Sequence, residues 1–209
     1  MQRYVDYWDK YYNGNRREIE QPSGFAKFAM SHIKNDGKKL IDIGCGNGRD
    51  SIYFCCNGLK VTAVDSSASA IECINNKSLP IFAVCDDFVK TNALTCVDYD
   101  YCYARWSIHA INQAQQDELL PKVYLSLNEG GLFFIEARTT NDVKYGEGVP
   151  LGEHEYFFEN HYRRFLEPEK FKKEIIAVGF EIISFEQSDT FSVMGNDTPT
   201  LIRIVAKKA

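Results

Sequence analysis

The glycines near the start of this sequence give its clearest sign of chemistry. Gly44, Gly46 and Gly48 follow a short apolar run and precede residues typical of a helix start. Glycine tolerates tight turns and lets the backbone approach a ligand closely. The spacing therefore predicts a strand, a turn and a helix that together cradle a nucleotide, with Asp50 or Ser51 as the helix cap.

The spacing separates this turn from a dinucleotide site. A dinucleotide fingerprint has its third glycine three residues after the second, whereas here the interval is two residues and Asp42 lies inside the strand end. Asp65 ends a second apolar run, roughly twenty residues past the first glycine, which is the distance that a helix and a parallel strand consume. Its carboxylate should emerge beside the turn and accept hydrogen bonds from both ribose hydroxyls. The alternative is that Asp65 only caps the next helix.

The pattern Asp-x-Gly-x-Gly-x-Gly resembles motif I of the class I S-adenosylmethionine-dependent methyltransferases. Residues 46–49, Gly-Asn-Gly-Arg, are similar to the turn of the tellurite-resistance-type members of the small-molecule branch. The resemblance implies S-adenosylmethionine as the cofactor. The cradle and ribose residues that it assigns to the cofactor are Asp42, Gly44, Cys45, Gly46, Asn47, Gly48, Asp65 and Ser66. It also implies that Asp86, with Asp87 as the competitor, bonds the adenine amino group, and that Phe88 packs against the base.

An aromatic stripe lies near the N-terminus at helical spacing, which places its members on one side of a short helix. They are Tyr4, Tyr7, Trp8, Tyr11 and Tyr12. Related methyltransferases carry an aromatic helix that folds over the cofactor, so the resemblance implies a helical lid within residues 1–34, with Trp8 and Tyr12 at the cofactor. The alternative is that the stripe only packs against the core.

Methyl transfer is an in-line displacement, so the protein must align the reacting atoms and exclude water. A hydroxyl acceptor also needs a base for its proton. His109 and His161 are the first candidates, because an unshifted histidine is partly neutral near pH 7, and Glu136 is the third. For each histidine, a structural hydrogen-bonded role is the alternative.

Arginines outside the core pattern suggest an anionic acceptor. Arg105, Arg138, Arg163 and Arg164 come from separate segments that we expect to meet at the crevice mouth, where a carboxylate or phosphate could bind. One of them could instead pair with Glu136 or with the carboxylate of the cofactor, and Arg105 is assigned to the cofactor on this basis. Solvated charge is the alternative for Arg163 and Arg164.

Residues 139–165 form a glycine-rich, polar and aromatic segment in which periodicity fails. A loop of this length in a compact domain is usually functional or disordered, and its aromatic content argues against disorder. We therefore predict a substrate-side insert, with Tyr145 and Tyr162 among its acceptor contacts beside the arginines.

Elsewhere the sequence alternates between strands and helices and closes on a hairpin. After a linker around residues 16–18, helices are predicted at 25–33, 66–76, 113–127 and 168–178, with a break at 35–37. Strands are predicted at 60–65, 79–88, 97–106, 132–138, 179–185 and 200–207, the last two joined by a turn that contains residues 194–197. This order matches the family's fold: an α/β, Rossmann-like sheet of seven strands, mostly parallel with an antiparallel last strand, and helices on both faces.

Length and composition set further bounds. The chain has 209 residues, which favours a single domain, 1–209. Its seven cysteines form no metal-ligand spacing and are typical of a reducing compartment. The sequence shows no apolar leader and no apolar segment long enough to span a membrane. Its net charge is −5, and it contains no long basic tract. We therefore expect a cytoplasmic protein, a monomer or homodimer, without nucleic acid, membrane or metal as partner.

The sequence-based hypothesis is methylation of a small polar, anionic acceptor, such as a sugar, sugar nucleotide, phosphorylated polyol or organic acid. Oxygen is the preferred acceptor atom, and a resemblance of the insert to bacterial methyltransferases associated with surface glycan synthesis suggests that context. The alternatives are N-methylation of a small amine and a non-catalytic cofactor-binding module.

Overall fold

The computed structural model describes residues 2–14, 21–34, 37–96, 98–192 and 197–209. The helices are α1 (Gln2–Gly14), α2 (Gly24–Met30), α3 (Arg49–Cys56), α4 (Ala68–Asn75), α5 (Gln113–Ser126) and α6 (Pro168–Val178). The strands are β1 (Lys39–Ile43), β2 (Lys60–Asp65), β3 (Ile81–Cys85), β4 (Tyr99–Arg105), β5 (Leu127–Arg138), β6 (Val149–Gly152), β7 (Glu155–Phe158), β8 (His161–Arg164), β9 (Phe180–Ser188) and β10 (Leu201–Lys208). The expected linker at 16–18, the break at 35–36 and the turn at 194–196 lie outside the described residues.

The main sheet has seven strands in the order β3-β2-β1-β4-β5-β10-β9. The neighbours from β3 to β5 pair in parallel, and β10 runs antiparallel to both β5 and β9. Adjacent residues of β1 point to opposite faces, so Ile41 and Ile43 pack with α5 and α6 while Leu40 packs with α2 and α3. These features confirm the predicted fold class.

The helix that follows the glycine turn starts differently from the prediction. The cap of α3 is Gly48, in a left-handed conformation at φ 80°, so the assignment of Asp50 or Ser51 as cap is wrong. Asp50 instead accepts hydrogen bonds from the backbone and hydroxyl of Ser23 and from the Tyr103 hydroxyl. This buried carboxylate thereby joins α2, α3 and β4.

The insert is more ordered than its sequence suggests. The predicted loop contains the antiparallel sheet β6-β7-β8. Its ends meet: Thr139 bridges Leu166, and the Leu166 amide donates to the Arg138 carbonyl over 3.1 Å. The strands have four residues each, too few for a pattern of alternation to stand out in the sequence.

Among the described residues, none of the helices combines the length and apolar content that a bilayer crossing needs.

Candidate functional site

The carboxyl ends of the central strands open into a cavity of about 950 Å³. This volume is near the upper end of pockets that hold small ligands, so the cavity can hold a cofactor together with a second molecule. Most of the residues that the sequence assigned to the cofactor line it, namely Trp8, Tyr12, Asp42, Gly44, Cys45, Gly46, Asn47, Asp65, Ser66, Phe88 and Arg105. Of the residues assigned to catalysis or the acceptor, His109, Arg138, His161, Tyr162 and Arg163 line it.

The glycine turn forms one wall and has no room for side chains. Gly44, Gly46 and Gly48 all have positive φ, at 75°, 56° and 80°. A Cβ at Gly44 would lie 2.5 Å from the Cβ of Ser107, and one at Gly46 would lie 2.3 Å from the Tyr12 hydroxyl. Gly48 packs inward against α4 and does not line the cavity. Ser107 and Tyr12 therefore pack closely on the backbone of the first two glycines, and neither position has room for a larger residue.

Two acids stand behind the turn. Asp65 accepts hydrogen bonds from the Gly46 amide over 2.9 Å and from the Ser67 amide over 2.9 Å, so it lies beside the turn and also holds the start of α4. Burial raises its pKa. Asp42 accepts a hydrogen bond from the Ser51 hydroxyl over 2.5 Å, and burial raises the pKa of Asp42 to about 8. Both carboxyls face the cavity from successive strands.

The acids assigned to adenine are not brought into this cavity. Asp86 is exposed and accepts a hydrogen bond from the Asp87 amide, while Asp87 accepts one from the Val89 amide and so shapes the turn after β3. Phe88 does line the cavity. The adenine assignment of Asp86 or Asp87 remains a prediction.

Helix α1 lies across the cavity and touches both of its sides. Asp9 accepts hydrogen bonds from the hydroxyl of Ser67 and from the amide of Ser69, which fixes α1 to the first turn of α4. Tyr7 stacks on His161 of β8 with ring centroids 4.8 Å apart. Helix α1 thus contacts both sides of the cavity, and its role as a lid stays a prediction. The side chain of Tyr4 lies outside the described residues.

Trp106 lines the cavity and serves as the reference by which we name its two sides. It has a positive φ of 61°, a strained conformation for a bulky residue, and the centre of its ring is 4.9 Å from the guanidinium carbon of Arg105 and 5.2 Å from that of Arg138. The glycine turn and Asp65 lie on the Arg105 side, which we call the cofactor lobe. The side with Arg138 and the insert is called the acceptor lobe.

Glu136 does not reach the cavity, and the prediction that it is a candidate base is wrong. Its carboxylate is fully buried and accepts hydrogen bonds from Arg105 Nε at 3.1 Å, Trp106 Nε1 at 3.0 Å and Arg203 Nε at 2.8 Å. Both arginines stand opposite Glu136 in the sheet register. It is an ion-pair centre that holds Trp106 in place.

His109 lines the acceptor lobe as a hydrogen-bond donor. Its Nδ1 accepts the backbone N–H of Arg138 over 3.2 Å, so the proton of the neutral ring is on Nε2. Burial lowers the pKa of His109 well below its ordinary value, and nearby Arg138 and Arg163 lower it further. A neutral ring with hydrogen on Nε2 can donate to a ligand there but cannot take its proton.

His161 is also engaged. Its Nδ1 lies 3.3 Å from the Glu159 carbonyl, which can only accept, and its Nε2 lies 3.2 Å from Nη2 of Arg163, which can only donate. The one acceptor atom of the ring is therefore occupied. Burial lowers the pKa of His161, and the nearby charge of Arg163 acts in the same direction.

Three of the four arginines, Arg105, Arg138 and Arg163, line this cavity, and Arg164 does not. Arg138 is already paired with Asp142, over 2.9 Å, and with Asp197, over 2.5 Å. Arg164 points away from the cavity and donates to two glutamines of α5. The guanidinium of Arg105 is held by Glu136, as the sequence allowed. Only Arg163 enters the acceptor lobe without a carboxylate partner among the described residues.

Tyr145, the other insert residue assigned to the acceptor, also lies outside the cavity. Its hydroxyl is 2.8 Å from Nδ1 of His154, and the residue is 39% exposed. Tyr145 packs within the insert against Tyr156 and Phe165. Its role is to hold the insert sheet together.

Three residues that line this cavity each have a buried polar atom without a hydrogen-bond partner in the described part of the chain. These atoms are Oγ of Ser107, Nη1 of Arg163 and Oδ1 of Asp197. Buried polar atoms in native proteins are nearly always paired, so each marks a place for a ligand atom. Sequence reasoning missed Ser107, Trp106 and Asp197; the position of Ser107 and Trp106 directly after β4 was the available signal, and Asp197 gave none.

Comparisons with known proteins agree with this geometry. Residues 14–185 match the family described as the methyltransferase domain. The cypemycin N-terminal methyltransferase of a Streptomyces species is 28% identical over 116 residues, which are 54% of this chain and 47% of that protein. The match thus spans about half the length of this curated relative.

Solved structures share the fold at low identity. The 1,6-didemethyltoxoflavin-N1-methyltransferase of Burkholderia thailandensis, with 1,6-didemethyltoxoflavin and S-adenosylhomocysteine bound, has a TM-score of 0.75 at 16% identity, covering 98% of this chain and 87% of that chain. TehB from Haemophilus influenzae has a TM-score of 0.66 at 20% identity, covering 98% of this chain and 66% of that chain. The chain belongs to the methyltransferase domain family and shares the fold of these solved methyltransferase structures.

Proposed function

We propose that this protein transfers the methyl group of S-adenosylmethionine to a small molecule that carries an anionic group, and that Arg163 binds this group. The observation that carries the proposal is Nη1 of Arg163, which is buried in the acceptor lobe without a hydrogen-bond partner. Arg163 is 8% exposed, and its guanidinium lies 5.1 Å from the centre of the Phe158 ring. A buried guanidinium with an unused N–H is suited to a carboxylate or phosphate.

The chain's own residues would do three things in this reaction. Gly44, Gly46 and Asp65 would bind the nucleoside, and Trp8 and Tyr12 would cover it and exclude water. Trp106 and Arg163 would hold the acceptor in the acceptor lobe. When bound, S-adenosylmethionine supplies a methyl carbon activated by a neighbouring positive sulfur, so alignment and a dry cavity account for most of the rate.

Oxygen, the acceptor atom preferred from the sequence, is not part of this proposal. A hydroxyl needs a base, and the side chains expected to serve, His109, His161 and Glu136, are all engaged in the ways described above. Sugars and organic acids therefore remain candidate acceptors only if they carry a nucleophile other than a hydroxyl.

Two measurements test the proposal. Calorimetric titration with S-adenosylmethionine and S-adenosylhomocysteine should give binding, and incubation with methyl-labelled cofactor and a cell metabolite extract should give a labelled product.

Arg163→Gln should raise the acceptor KM about tenfold to a hundredfold while the cofactor Kd stays near wild type. Lys173→Gln, at an exposed position of α6, is the matched loss of one positive charge and should change neither. Equal weakening of cofactor and acceptor binding by Arg163→Gln would refute the assignment.

A further inference from the structure

We infer that the acceptor is an amine that also carries an anionic group, and that Asp197 holds its nitrogen. The inference rests on the proposed function and names the substrate class of the same site. Two groups of opposite charge, Arg163 and Asp197, line the acceptor lobe, and each has a buried atom without a partner in the described part of the chain.

The environment of Asp197 makes it a hydrogen-bond acceptor for a ligand. Its Oδ2 already receives the guanidinium of Arg138 over 2.5 Å and lies 3.2 Å from the ammonium of Lys144. These two cations outweigh the effect of burial, so the pKa of Asp197 is lowered and the carboxylate is ionised. Its Oδ1 is buried and receives no donor from the described residues, and Asp197 lines the cavity. An ionised oxygen in a buried site calls for an N–H or O–H donor from the ligand.

The remaining groups of the acceptor lobe favour an N–H over an O–H as the group that the ligand donates to Asp197. A hydroxyl acceptor must lose its proton to a base as it reacts, and a carboxylate with a lowered pKa is a poor base. His109 presents a hydrogen on Nε2, and the acceptor atom of His161 is taken by Arg163. A neutral amine needs no base at the moment of reaction, because its lone pair is already available.

The reaction then balances without transfer of a proton to the protein. The neutral amine donates one N–H to Oδ1 of Asp197, which turns its lone pair toward the methyl carbon. That lone pair forms the N–C bond as the C–S bond breaks, and the electrons of the C–S bond stay on sulfur. The nitrogen becomes a cationic methylammonium, which remains paired with Asp197 until it leaves and equilibrates with water.

The decisive experiment identifies the methylated atom. The full chain is incubated with carbon-13 methyl-labelled S-adenosylmethionine and a cell metabolite extract, and the labelled product is identified by mass and by the chemical shift of its methyl group. A methyl group on nitrogen, in a molecule that also has a carboxylate or phosphate, is the expected result. A methyl group on oxygen, carbon or sulfur overturns the inference and leaves the proposed function standing. Cofactor binding without any labelled product overturns the proposed function itself.

A variant pair tests the role of Asp197. Asp197→Asn should raise the KM of the identified amine about tenfold or more, with the cofactor Kd close to wild type. Because the substitution weakens the ion pair with Arg138, the thermal midpoint should fall, and the assay is run well below the new midpoint. Asp189→Asn is the matched control, because Asp189 is an exposed acid in the same connection between β9 and β10. An unchanged KM in a folded Asp197→Asn protein would remove Asp197 from the acceptor site.

Discussion

The substitution Glu136→Gln separates a structural from a catalytic role for this carboxylate. It replaces the charge that pairs with Arg105 and Arg203 while keeping the size of the side chain. Breaking a buried ion pair costs about 3–5 kcal/mol. The lower end, about 3 kcal/mol, applies here, because glutamine keeps one acceptor oxygen, Arg203 keeps its bond to the Phe191 carbonyl and the side chain of Arg105 is 18% exposed.

For a domain of this size, each kcal/mol shifts the melting temperature by about 2–4 °C, so a fall of roughly 6–12 °C is expected. Thermal denaturation followed by circular dichroism measures the fall, and methyl transfer is assayed well below the new midpoint. Glu181→Gln, at an exposed position of β9, is the control and should stay within about 0.5 kcal/mol. A Glu136→Gln protein that melts like wild type but has lost all methyl transfer would refute the reasoning and restore Glu136 as a catalytic group.

Three further predictions concern the turn, the lid and the buried histidine. Gly46→Ala should raise the cofactor Kd at least about tenfold, since its Cβ would lie 2.3 Å from the Tyr12 hydroxyl, whereas Gly146→Ala, at a positive φ with no atom within 4 Å of its Cβ, should leave binding unchanged in the same titration. Asp9→Ala removes the acceptor at the start of α4 and should speed cofactor release up to about fivefold in stopped-flow measurements, equivalent to about 1 kcal/mol of lid docking; an unchanged rate would mean that α1 does not gate the site. The pKa of His109 is lower in the fold than its unfolded value of about 6.5, so its contribution to stability is complete above that pH and is lost as the pH falls below it. Thermal midpoints between pH 7.5 and 5 should therefore fall less steeply for His109→Gln than for wild type, and equal slopes would contradict the burial argument.

The position of Asp65 beside the glycine turn could be predicted from sequence because its signals are local. Glycines at fixed spacing and an acid at a strand end depend on backbone conformation and strand order, and the structure places Gly44, Gly46 and Asp65 together. The fold could also be predicted from local signals, because a sequence that alternates between strands and helices is compatible with few topologies.

The acceptor half could not be predicted in the same way. Its chemistry depends on which side chains are already paired, and pairing is decided by register between distant segments. Glu136 and Arg203 are 67 residues apart, and Arg138 meets Asp197 across 59 residues, so neither pair is visible in the sequence. Arg163 and Arg164 are neighbours in sequence, yet they face opposite sides because side chains alternate along β8.

The closed base of the insert has an engineering consequence. Thr139 and Leu166 lie side by side, and the Thr140 amide donates to the Leu166 carbonyl over 3.0 Å, so the polypeptide leaves and rejoins the domain at nearly one point. The intervening residues can then be exchanged as a cassette without changing the register of β5. A segment transplanted from another member of the family should keep His161, because this residue stacks on Tyr7 of α1. With that contact retained, the junction is a graft site for chimeric enzymes that test how the insert affects the choice of acceptor.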